Sequence, residues 1–117
     1  MPKLTGLVYE SASGLVRGQF KDVATDTGIQ PATLRVFIYD QSSLTTILAD
    51  IALSPVSTYV DASGNLTYYI SAANNTLIGA NNETETHVIR FTWTWTAQAA
   101  TQTGIEELEF NVFNLRP

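Results

Sequence analysis

The chain contains no cysteine. Disulfides, thiolate zinc sites, iron–sulfur clusters and cysteine nucleophiles are therefore excluded. Small secreted domains often depend on disulfides, so their absence favours folding in a reducing cytosol. Charge is also scarce. Only 15% of residues are charged, against about 25% in ordinary soluble domains. The six Lys and Arg are scattered and the formal net charge is −5. A basic footprint for nucleic acid or for an anionic membrane surface is missing, so neither partner is expected. No apolar run approaches the roughly 20 residues of a membrane span. Residues 1–6 lack the charged-then-apolar pattern of a secretory signal.

Catalytic signatures are missing too. There is no Gly-x-Ser-x-Gly elbow and no glycine-rich phosphate loop. His87 is the single histidine. It lies near Glu83 and Glu85 but has no second His or Cys to complete a soft metal site. Its expected role is a strand-end histidine without chemistry. Glu106 and Glu107 are neighbours, and strand neighbours point to opposite faces. Glu107 and Glu109 share a face, read as solvated. Asp22, Asp26, Asp40, Asp50 and Asp61 fall in or near predicted loops, but no calcium-loop pattern joins them. Turn formation accounts for them. The sequons at Asn65, Asn74 and Asn82 follow from a composition rich in Asn and Thr. No catalytic residue, cofactor or metal is expected.

What is present is β-patterning over 117 residues, a length suited to one domain, placed at 1–117. Leu4 to Tyr9 and Leu15 to Val23 read as extended segments around a turn ending at Gly14. In Thr33 to Tyr39, Leu34, Val36 and Ile38 alternate with Phe37 and Tyr39, which suggests that the second face is partly covered too. Leu44 to Leu53 is read as a strand ended by Ser54-Pro55, and Val56 to Val60 as another short one. Asp61-Ala62-Ser63-Gly64-Asn65 is a strong turn signal before Leu66 to Ile70. The plainest element is His87 to Thr96, with His87, Ile89, Phe91, Trp93 and Trp95 on one face and Val88, Arg90 and threonines on the other. Ala97 to Thr103 is expected as a loop. Ile105 to Leu115 closes the fold, with Leu108, Phe110 and Val112 inward. These last two strands, the longest, are expected to form a hairpin at the centre of a sheet.

About seven strands with short, even spacing predict an all-β, two-sheet antiparallel Ig-like β-sandwich. Phe91, Trp93, Trp95 and Phe110 are its expected core anchors. Binding should then lie in loops, edges and chain ends. The Asn-rich segment from Ala72 to Thr84 is long for a sandwich connection. It makes Asn74, Asn75, Asn81 and Asn82 the candidate interaction loop. A short helical turn is expected over Ala72 to Leu77, with Leu77 and Ile78 plugging the core.

Four segments together carry a resemblance: Leu34 to Asp40, Asp61 to Ile70, Ala72 to Gly79, and His87 to Trp95. In that order they resemble small Ig-like β-sandwich structural proteins of tailed bacteriophage virions, such as capsid decoration or cement proteins and neck or tail accessories. The resemblance covers roughly residues 30 to 113. It implies a non-enzymatic protein that assembles in the host cytoplasm and resides in the virion. It further implies a protein partner, the major capsid protein or a neighbouring virion component, and homo-oligomer formation. The alternative is a carbohydrate- or cell-surface-binding sandwich using Trp93 and Trp95, or Tyr68 and Tyr69, as a stacking platform.

Overall fold

A computed structural model describes residues 2–10, 13–79, 82–97 and 100–113. Seven strands occur in it: β1 (Pro2–Glu10), β2 (Leu15–Asp22), β3 (Thr33–Asp40), β4 (Thr46–Ala52), β5 (Asn65–Tyr69), β6 (Thr84–Ala97) and β7 (Ala100–Phe113). They form two antiparallel sheets, β1-β2-β5 and β4-β3-β6-β7. The chain changes sheet between β2 and β3, between β4 and β5, and again between β5 and β6. That crossing pattern is the Greek-key wiring of an Ig-like sandwich.

The core follows from alternation. Leu34, Val36 and Ile38 of β3 face Val16, Phe20, Leu66 and Tyr68 of the other sheet within one apolar cluster. Phe91, Trp93, Trp95 and Phe110 are all buried in it. Phe20 meets Trp93 edge-on at 5.1 Å, and Tyr68 meets Phe91 in the same way at 5.9 Å. Trp93 lies against β7 at Gly104, where an added Cβ would overlap the indole ring. Only glycine leaves that space. In β1, Gly6 adopts φ +62° at a bulge between Thr5 and Val8. The extra residue restores the alternation, so that Leu4, Leu7 and Tyr9 all reach the core.

Several sequence expectations shift. Val56–Thr58 is a 3₁₀ turn, not a strand. Of the expected loop at Ala97 to Thr103, residues 97 and 100–103 are strand, and 98–99 lie outside the described residues. β6 and β7 pair over fourteen positions, ending at Ala97↔Ala100. Thr101, Gln102 and Thr103 suit a pleated edge, and their partners Thr94 to Thr96 supply the ladder. β7 ends at Phe113, and Leu115 lies outside the described residues. The β6–β7 hairpin forms, but only β6 is interior; β7 is the sheet edge. Fourteen extended residues span about 46 Å, which accounts for the longest dimension of 53 Å.

On the outer face of the larger sheet, Phe37 and Tyr39 are half-buried as the pattern suggested. Arg90 covers both rings, at 5.4 and 5.7 Å, and pairs with Glu107 at 2.9 Å.

Candidate functional site

The end of the sandwich where β3 finishes and β6 begins carries the Asn-rich connection. Ser71 caps a 3₁₀ turn over Ala72–Asn74, accepting the Asn74 N–H on its hydroxyl. This turn is shorter than the expected Ala72 to Leu77. Leu77 packs against the core, whereas Ile78 points outward and is 46% exposed. The segment turns within too few residues to bury both.

The connection is held from below by a charged group buried in the sandwich. Glu85 accepts the backbone N–H of Ile78 at 2.8 Å, that of Gly79 at 2.8 Å, and the Asn82 amide at 2.6 Å. Its Oε1 also lies 2.9 Å from His87 Nε2. Burial alone would push the Glu85 carboxyl up. The Ile78 and Gly79 N–H groups, then His87 and Asn82, outweigh burial and bring it down to about 2. Glu85 is thus an anion at neutral pH, and Nε2 is the protonated nitrogen that faces it.

His87 is 0% exposed and is the fourth residue of β6, inside the strand and not at its end. The β3–β6 register sets Asp40 opposite His87, with Asp40 Oδ1 3.7 Å from Nε2. Phe110 meets the imidazole edge-on at 5.7 Å. Asp40 also has the turn role expected of it. Its Oδ2 accepts the N–H and the hydroxyl of Ser43, at 2.9 and 2.7 Å. The three residues therefore join two loops: Glu85 holds Ile78, Gly79 and Asn82, and Asp40 fixes the β3–β4 turn.

Chemically the group is a clasp. Each oxygen of Glu85 already accepts two hydrogen bonds, so a cation would have to displace backbone donors to enter. The Ser43 hydroxyl is committed to Asp40, and Glu85 occupies the side of Nε2 where a nucleophile would sit. His87 Nδ1 is buried without a hydrogen-bond partner among the described residues. Of the four candidate asparagines, Asn82 serves Glu85 and Asn75 serves Tyr9, whose hydroxyl lies 3.1 Å from the Asn75 amide. Asn74 is part of the capped turn, and Asn81 lies outside the described residues. Asp22, Asp26 and Asp61 lie at the opposite end of the sandwich, and Asp50 pairs with Arg35 at 3.1 Å.

Three large apolar side chains stand exposed among the polar residues at this end. Leu44, in the turn fixed by Asp40, is 71% exposed and adopts φ +59°. A left-handed backbone is unfavourable for leucine. It is held by the Leu44 N–H donating to Asp40 O at 2.8 Å and by the Ser43 contacts. Ile78 and Phe113, 55% exposed at the end of β7 opposite Thr84, complete the display. Sequence reasoning singles out the loop but not Leu44, because an apolar residue between Ser43 and Thr45 reads as the start of a strand.

Comparison with protein-family models, with curated proteins and with solved structures finds no match to this chain. Among the described residues, no helix is long and apolar enough to cross a membrane.

Proposed function

We propose that the chain is a non-enzymatic structural protein of a tailed-phage virion. In this reading it is a capsid decoration or cement protein that docks on the major capsid protein or a neighbouring component, as one of several copies. The observation that carries the binding half of this reading is the clasped end. Two loops are immobilised by a buried acid–histidine group, and their exposed tips, Leu44 and Ile78, are apolar. Backbone strain held in place at an exposed residue clusters at functional sites, which supports a binding role for Leu44. The virion half rests on the resemblance in segment order described above. In purified particles the chain should be a stoichiometric component, visible by cryo-electron microscopy as one domain per site. Leu44→Asp with Ile78→Asp should lower its occupancy while leaving its melting temperature nearly unchanged. Absence of the chain from purified particles removes the reading.

A glycan-binding reading has one observation of its own. Ile51, Tyr59, Tyr68 and Tyr69 line an open groove between β4 and β5, and Tyr69 is exposed. Trp93 and Trp95 are buried and unsuited to that role. Tyrosine fluorescence that no glycan panel perturbs would dismiss it.

A further inference from the structure

A sheet edge presents a row of backbone N–H and C=O groups, and proteins generally interrupt, cover or shorten it. Three of the four edges here are treated in that way. β1 is broken by the bulge at Gly6. β4 slips register twice against β3. β5 is five residues long, and the preceding segment lies along it: the Thr67 N–H donates to Tyr59 O, and Val60 bridges Leu66. β7 is neither bulged nor short, although β1 packs near it, and its protection is charge. It pairs with β6 over fourteen positions without a register shift, and it contains no proline. Among the described residues, no backbone hydrogen bond outside that ladder reaches it. Ile105 in its middle is 62% exposed.

Charge indicates what this edge accepts. β7 carries Glu106, Glu107 and Glu109 and no Lys or Arg. Arg90 neutralises Glu107. Glu109 accepts from the neutral Gln41 at 2.6 Å, and Glu106 is exposed. A second copy is a poor occupant. Directly opposed residues share a face, so a two-fold antiparallel pair centred on this stretch would set Glu106 against Glu106 or Glu107 against Glu107, and like charges directly opposite are destabilising. A basic strand meets no such penalty. We propose that the free edge of β7 receives an extended segment of a partner protein as an added strand, with Lys or Arg set against Glu106 and Glu109. Main-chain hydrogen bonds supply the affinity, and the acidic side chains reject a second copy while favouring a basic partner. The inference deepens the assembly reading and rests on it for the identity of the partner, not for the edge itself.

The test titrates the isotope-labelled full chain with a peptide of about ten residues of repeated Lys-Lys-Thr, which sets Lys on both faces of an added strand, and with its Glu-Glu-Thr counterpart. Amide shifts should be confined to β7, and the Glu peptide should bind at least roughly tenfold more weakly. Adjacent strand residues point their N–H groups in opposite directions, so Ile105→Pro and Glu106→Pro should behave differently. One breaks the ladder to β6 and lowers the melting temperature. The other removes only an edge donor, stays folded, and should weaken the Lys peptide at least about tenfold. The double change Glu106→Lys with Glu109→Lys keeps the backbone and should reverse the peptide preference. Unaltered binding by the folded proline variant, shifts away from β7, or self-association through β7 would each overturn the proposal. If particle occupancy ignores the edge proline, the assembly reading survives and the strand reading does not. If the chain binds the peptide but is absent from particles, the strand reading survives and the assembly reading does not.

Discussion

At the Trp95 end of β6 the inward side chains meet aromatic and aliphatic groups, whereas at its Glu85 end they meet carboxylates and backbone N–H groups. Phe91, Trp93 and Trp95 sit among Phe20, Tyr68 and Leu34. Glu85 and His87, on the same face of the same strand, sit with Asp40, Ser43, Ile78, Gly79 and Asn82. Apolar burial is non-directional and tolerates some shift of the loops above it. A buried carboxylate that takes four hydrogen bonds fixes the position of each donor, because any donor withdrawn leaves charge unsatisfied. The first end holds the sheets together. The second sets where two loops stand.

The largest effect should come from the apolar end. Trp93→Ala is expected to cost about 3–5 kcal/mol in urea unfolding, a large share of the stability of a domain this size. Gly104→Ala attacks the same contact from β7 and should cost about 1–3 kcal/mol by overpacking. A cost near zero would mean that the indole does not press on β7 as described.

At the polar end, Glu85→Gln should cost about 1–3 kcal/mol at neutral pH. Its signature is local: hydrogen exchange at Ile78 and Gly79 should accelerate more than exchange at Phe91 or Trp93. Exchange that rises evenly along β6 would erase the distinction between the two ends. The effect also depends on pH in a defined direction. The Glu85 carboxyl titrates near its ordinary 4.5 in the unfolded chain and at about 2 in the fold. Its stabilisation is therefore complete above 4.5 and drains away as pH falls towards 2. The stability gap between the protein and Glu85→Gln should shrink over that window, whereas the Trp93→Ala gap should show no step there.

The smallest effect has the opposite sign. Leu44→Asn keeps the turn, suits φ +59° and gives up little buried surface. It should stabilise the chain by about 0.5–1 kcal/mol. The same change should weaken docking of the clasped end, measured as occupancy on particles. Loss of both stability and occupancy would mean that Leu44 supports the fold instead of serving a partner.

Much of this is legible in the residues. Alternation in Thr33 to Tyr39 and His87 to Thr96 predicts two strands with their buried faces, and β3 and β6 appear with that parity. The Asp61–Asn65 turn appears with Asp61 accepting the Ser63 and Asn65 N–H groups. Ile78 and residues 100–103 depart from the pattern. Whether an apolar residue plugs a core, or a Thr-rich stretch extends a strand, depends on the partner opposite it. His87 departs for the same reason at longer range. Its neighbours Glu83 and Glu85 are visible along the chain, but Asp40 arrives only through the β3–β6 register.

The sequence by itself determined the class of fold, the absence of cysteine chemistry and the inward set of aromatics, because each depends on composition or on a period of two along one strand. Only the tertiary structure decided that Asp40, Glu85 and His87 form one buried group, that Leu44 and Ile78 stand exposed above it, and that β7 is a long, unbroken sheet edge. Those three facts depend on sheet order and register. They are set by which strands lie side by side, and no single stretch of chain records that.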